Sequence, residues 1–174
     1  MLGSTQRVKA TYQHPACMHR VLFICTRNIF RSLTTEYALR KYLRDRSKIL
    51  VASTSTEDFL HIINPFVRDY LLTQGLDVTS HCRRTLSSDI LNDASFVIAM
   101  STEHRSILAE RFNRPDVPLF TEACGLPSEP LPDVEEVVTD HKTNPAAVKA
   151  HIRKTIDRII ELTPQLAKRL QTGR

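Results

Sequence analysis

Val21-Leu22-Phe23-Ile24-Cys25-Thr26-Arg27-Asn28-Ile29-Phe30-Arg31-Ser32 is the stretch from which the fold and the chemistry of this 174-residue chain are read. Its first four residues are apolar without alternation and rich in β-formers, the pattern of a strand buried on both faces in a parallel sheet. After Ser32, expected as a helix cap, Leu33, Tyr37, Leu39, Tyr42 and Leu43 recur with helical period while Arg40, Lys41 and Arg44 face water. Strand, short polar loop and helix together make the first half of a βαβ unit.

The same alternation continues outward. Ile49-Leu50-Val51-Ala52 reads as a second strand, and Asn64-Pro65 as N-cap and first turn of a helix carrying Phe66, Val67, Tyr70 and Leu71 until Gly75. Phe96–Met100 is a third strand, followed by a helix over Thr102–Phe112 with Ile107, Leu108 and Phe112 inward. Leu119-Phe120 is a weak fourth strand. Glu122–His141 is proline-punctuated loop, and after Asn144-Pro145 the residues Val148, Ile152, Ile156, Ile159 and Ile160 line one face of a long last helix. Alternating strands and helices with right-handed crossovers predict one α/β domain, a three-layer sandwich whose central four-stranded parallel sheet has helices on both faces. The domain is expected over residues 20–174, with residues 1–19 a loose extension.

Composition narrows the function classes. The chain has only 4 glycines, dozens of residues apart, so the glycine-rich loops of dinucleotide and P-loop sites cannot form. No apolar run approaches a membrane span, and the first nineteen residues lack the apolar core of a secretory signal. The net charge of +5 is spread without basic blocks or interleaved aromatics, which argues against a nucleic-acid partner. The 4 cysteines, Cys17, Cys25, Cys82 and Cys124, have no paired spacing, as expected of reduced thiols in the cytoplasm. His14, Cys17 and His19 have the residue types of a zinc site but no fourth ligand at fitting spacing, so no metal or cofactor is expected.

In such sheets, ligands bind at the carboxyl ends of strands, which directs attention to Cys25–Ser32. A Cys-x5-Arg pair alone arises by chance about 0.4 times in a chain of this composition. Its context makes it specific: a buried strand before Cys25, Asn28 within, and a helix beginning at Arg31-Ser32. A loop curling from strand end to helix start turns its N–H groups inward, the helix dipole adds positive charge, and Arg31 offers a fork for two phosphate oxygens. The same field favours a thiolate on Cys25. Asn28 supplies the positive φ that the curl requires where no glycine is present.

Cys-x-x-Asn-x-x-Arg-Ser after the first strand resembles the loop of the low-molecular-weight protein tyrosine phosphatases, and the likeness extends from about Arg20 to Leu162. The resemblance implies a hydrolase, a cytoplasmic protein phosphatase acting on phosphotyrosine-type phosphomonoesters of proteins or small molecules, as a monomer or weak dimer. Cys25 would be the nucleophile, and Arg31 with the amides of Thr26, Arg27, Asn28, Ile29 and Phe30 would bind phosphate. Ser32 would hydrogen-bond the sulfur. Asp133, in the loop before the last helix, would be the general acid. Glu36 resembles the family's acidic residue on the first helix, and Ser53 and His81 the residues that hold Asn28 in its conformation.

Four positions depart from that pattern: Arg27 for Gly, Phe30 for a second Cys, Leu33 for Pro, and Val134 for the Pro after the acid. The aromatic residues that many relatives carry just after the acid are replaced by Glu135 and Glu136. Phe59 is read as a core residue rather than a cleft wall. Two alternatives remain at this point: a thiol-dependent arsenate reductase on the same fold, and a module that binds phosphate or phosphopeptide without turnover. The first needs two relay cysteines after the third strand, where Met100-Ser101 stands.

Overall fold

The protein is described by a computed structural model over residues 19–44 and 48–172. The zinc-like grouping at His14 and Cys17, and residues 1–18 of the expected extension, lie outside these residues, whereas His19, read as the last residue of that extension, opens the first strand. The elements alternate as read: β1 (His19–Cys25), α1 (Arg31–Leu43), β2 (Ile49–Ser55), α2 (Pro65–Thr73), α3 (Ser88–Asn92), β3 (Phe96–Ala99), α4 (Thr102–Phe112), α5 (Phe120–Ala123), α6 (Val134–Val137) and α7 (Pro145–Thr172). All strand pairings are parallel in the order β2-β1-β3, with Val21 opposite both Val51 and Phe96.

The period-2 geometry of β1 splits its side chains between two cores. Val21, Phe23 and Cys25 join α1, α2 and α7, against Leu33, Leu39, Val67, Ile156 and Ile159, whereas Leu22 and Ile24 join Leu91 of α3 and Leu108 of α4. This is the expected three-layer sandwich. β1 is buried on both faces, which is why it reads as an unbroken apolar run.

The sheet has three strands rather than four. Leu119 makes only an isolated parallel bridge to Ala99, which donates its amide to the Pro118 carbonyl at 3.0 Å. Pro118 has no N–H to continue the ladder, and the Leu119 amide is taken by the Glu122 carboxylate at 2.7 Å, turning the chain into α5. On the opposite edge, Thr85 bridges to Ser55 and brings the segment from His81 to Leu86 alongside the end of β2.

Other expectations are also corrected. Helix α1 begins at Arg31 with Phe30 at its N-cap, so Ser32 does not cap it, and Tyr42 is exposed. Phe59 is 73% exposed, because it lies in an irregular connection after β2 that presents no face to the core. No helix among the described residues is long and apolar enough to cross a membrane.

Candidate active site

Sequence places Cys25 at the end of a buried strand, and the tertiary structure surrounds its sulfur with donors. The Asn28 amide donates to Sγ at 3.3 Å, and the Ser32 hydroxyl lies 2.9 Å away. Asn28 has φ of 55°, the left-handed conformation expected for it. Its amide side chain sets the direction of a whole chain of bonds. Nδ2 donates to Ser32 Oγ at 3.0 Å and to Ser53 Oγ at 2.6 Å, and Ser53 donates onward to the buried carboxylate of Glu36. Ser32 Oγ therefore accepts from Asn28 and has its own proton free for the sulfur.

Asn28 Oδ1 accepts from His81 Nε2 at 3.2 Å and from the Arg84 amide at 3.4 Å. Ser53 and His81 are thus both in contact with the Asn28 side chain. Burial pushes His81 down to about 4, with the charges of Arg84 and Arg40 adding to the effect, so the ring is neutral and its Nε2–H is the donor. Burial pushes the Glu36 carboxyl up. Its bond from Ser53 and the charges of Arg40, at 2.5 Å, and Arg84 oppose that rise.

Arg31 is almost wholly buried at the start of α1. Its Nη1 donates to the Leu131 carbonyl at 2.8 Å, and its Nη2 to Thr26 Oγ1 at 3.2 Å and Asp133 Oδ2 at 2.6 Å. Asp133 caps α6, accepting from the Val134 amide at 2.8 Å, so helix geometry as well as the ion pair aims its carboxylate. Between these groups lies a cavity of about 190 Å³ whose wall includes Cys25, Arg27, Ile29, Asp133, Val134 and His141. Larger cavities, of about 580 and 900 Å³, contain none of the loop residues. Within the described residues, no hydrogen bond takes up the amides of Arg27, Ile29, Phe30 or Arg31. Free amides around a cysteine at a helix start form a cradle for an anion.

The loop residues whose amides are expected to bind phosphate divide by their side chains: Arg27, Ile29 and Phe30 line the cavity. Asn28 and Ser32 are fully buried behind the loop and support it instead. Thr26 points to Arg31 and to a residue that sequence reasoning missed. His104, fully buried on the first turn of α4, lies 2.9 Å from Thr26 Oγ1 through Nε2, while its Nδ1 accepts from the Ser101 amide at 3.1 Å. That bond fixes the tautomer with the proton on Nε2, so Thr26 Oγ1 accepts from His104 and Arg31 together. Burial and the Arg31 charge push His104 down to about 3. A Ser-x-x-His spacing at the end of β3 was the available signal, since site residues gather at that edge of the sheet.

At the mouth of the cleft Arg27 meets Glu135 in a two-pronged pair, Nη1 to Oε1 at 3.0 Å and Nη2 to Oε2 at 3.2 Å, and its Nε lies 3.7 Å from Glu57. The hydrogen bonds from Arg27 hold the Glu135 carboxyl below its usual range.

The chain resembles known proteins over most of its length. The chain is 28% identical over 161 residues to the protein-arginine-phosphatase of Bacillus subtilis, covering 88% of this chain and 98% of that one. It is 30% identical to the arsenate reductase of the same organism over only 80 residues, 46% of this chain and 55% of that protein's length. The arginine phosphatase YwlE from Geobacillus stearothermophilus superposes with a TM-score of 0.73 at 20% identity, covering 89% of this chain and 94% of that one, a likeness of fold. The model of the low molecular weight phosphotyrosine protein phosphatases matches residues 20–173, and with the cysteine loop in place the chain belongs to that family of cysteine-based phosphatases.

Proposed function

We propose that this phosphatase hydrolyses aryl phosphomonoesters of the phosphotyrosine type through a phosphocysteine intermediate. The observation that carries the reading is the placement of Asp133, 2.6 Å from Arg31, across a small cavity from a cysteine whose sulfur receives the Asn28 amide and faces the Ser32 hydroxyl. Cys25 Sγ attacks phosphorus in line, forming the S–P bond as the P–O bond to the phenol breaks, and Asp133 gives its proton to the departing oxygen. Arg31 and the free loop amides take the equatorial oxygens. Asp133, now a carboxylate, accepts a proton from water as that water attacks phosphorus, and the S–P bond breaks to release inorganic phosphate.

The walls favour a phenol over a guanidine as the leaving group. Ile29 and Val134 are apolar, and the nearby carboxylates are already engaged, Asp133 by Arg31 and Glu135 by Arg27. The arsenate-reductase alternative is not better supported, since the relative of that name matches 46% of the chain. A relay needs reactive thiols, whereas Met100 and Ser101 occupy the position after β3 and burial pushes the Cys124 thiol up to about 12.

The decisive assay is hydrolysis of p-nitrophenyl phosphate without added metal. Cys25→Ser abolishes turnover, and Asp133→Ala lowers it by about 10²–10⁴-fold. Phosphate binding without turnover identifies the non-catalytic module instead. Faster release from a phosphoarginine peptide than from a phosphotyrosine peptide refutes the substrate class.

A further inference from the structure

The loop that carries Asp133 is fastened unevenly. Upstream it is anchored to the body of the protein: the Leu131 amide donates to the Met100 carbonyl at 2.9 Å, and His151 on α7 lies 3.1 Å from the Pro132 carbonyl. At Asp133 itself the tertiary contact is the pair with Arg31. That contact is surrendered during the reaction. A proton on Asp133 removes the charge that Arg31 attracts, and the arriving phosphate dianion competes for the same guanidinium. The group that must hover over the leaving oxygen would then be held by the short helix it caps, whose Glu136 accepts from the Asp133 amide at 2.8 Å and lies 3.8 Å from Arg31.

Arg27 and Glu135 complete the fastening. Arg27 stands two residues after the nucleophile and Glu135 two residues after the acid, so their pair joins the two catalytic loops across the cleft, 108 residues apart in sequence. Neither side chain takes part in the bonds being made or broken, and the pair is planar and two-pronged, the geometry that best defines orientation. Arg27 occupies the place of the glycine of related loops, and Glu135 that of an aromatic residue, so both halves of the strap arise where this chain departs from the family pattern.

We propose that the Arg27–Glu135 pair positions the general acid, holding Asp133 over the leaving-group oxygen once Arg31 has turned to the phosphate. This rests on Asp133 being the acid. The strap matters more for a poor leaving group than for a good one, because a more stable phenolate needs less protonation as it departs.

The test is kcat/KM, which reports steps up to departure of the phenol, for the full chain on phenyl phosphate and on p-nitrophenyl phosphate. Arg27→Ala and Glu135→Gln each lose about fivefold more on phenyl phosphate than on p-nitrophenyl phosphate, the scale of a partly exposed ion pair. Asp133→Asn shows the same ordering with a much larger loss on phenyl phosphate. Equal losses on both substrates for the Arg27 and Glu135 variants, or no loss on either, overturn the strap. A loss confined to Arg27→Ala, with Glu135→Gln behaving as wild type, also overturns the pair. If Asp133→Asn loses equally on both substrates, the general-acid reading fails, and the strap fails with it.

Discussion

Asn28 concentrates several demands in one residue. Its backbone must adopt positive φ, its amide serves the Cys25 sulfur, and its side chain links Ser32, Ser53, His81 and Arg84. The expected consequence separates backbone from side chain. Asn28→Ala loses both, whereas Asn28→Gly restores the left-handed conformation, about 1–2 kcal/mol of strain, without restoring the bonds. Thermal melts are expected to rank wild type above Gly above Ala, while p-nitrophenyl phosphate turnover stays at least tenfold down in both, given about 1–3 kcal/mol for each buried polar group left unpaired. The same scale governs oxidation. Phe30 stands where a second loop cysteine would trap a sulfenic acid as a disulfide, Cys124 is buried away in the core, and Cys82 is exposed on another segment. One equivalent of hydrogen peroxide converts the Cys25 thiol to the sulfenic acid and releases water, and a second carries it to the sulfinic acid with another water released. Activity after dithiothreitol is therefore expected to recover poorly, and full recovery would refute the argument. The residue types of this loop were legible in sequence, including the left-handed Asn28. Ser32 was legible as the partner of the sulfur through the resemblance, but its expected second role as helix cap failed, because α1 begins one residue earlier with Phe30 at its N-cap.

At the scale of elements, α1 and α7 carry one core and position the site from below. Ile156 and Ile159 are fully buried in the core beside the sheet, and Ile152 and Val148 of the same helix line the cavity beside Cys25. Ile156→Ala is expected to cost about 2–5 kcal/mol in urea unfolding, the usual range for truncating a buried aliphatic side chain, with KM for surviving folded protein little changed. The elements read correctly were those with strong local signals: apolar runs for β1 and β3, Asn64-Pro65 for α2, and Asn144-Pro145 for the start of α7. Those misread had weak or competing signals. Leu119 has strand character, but Pro118 before it and Glu122 after it decide that the chain turns. Phe59 is apolar enough for a core, and its exposure follows from lying beyond the end of β2.

The whole molecule sets the acid limit of stability. His81 and His104 are pushed down to about 4 and about 3, below the value of 6.5 for a free histidine, chiefly by burial. Below about pH 6.5 the unfolded chain binds protons that the native state refuses, so stability falls as pH drops towards the folded values. Glu36, pushed up by burial, works in the opposite direction over the lower part of that range. Chemical unfolding at about pH 6.5 and pH 5 is expected to show a loss on the order of 1 kcal/mol per histidine, and His104→Gln should remove its share of the slope. An unchanged slope in that variant would show that His104 is not held neutral.

Sequence by itself determined the alternating α/β architecture, the cysteine loop at the end of β1, and the residues Cys25, Asn28 and Arg31 as candidates, because strand burial, turn conformation and helix starts depend on neighbours within a few residues; Asp133 was named only through the likeness to a known family. The third dimension decided what those residues meet. Arg31 reaches Asp133 across 102 positions, Thr26 reaches His104 across 78 and Arg27 reaches Glu135 across 108, and no local pattern encodes such pairings. They exist because a parallel sheet gathers the carboxyl ends of its strands at one edge, where packing brings distant loops within hydrogen-bond reach.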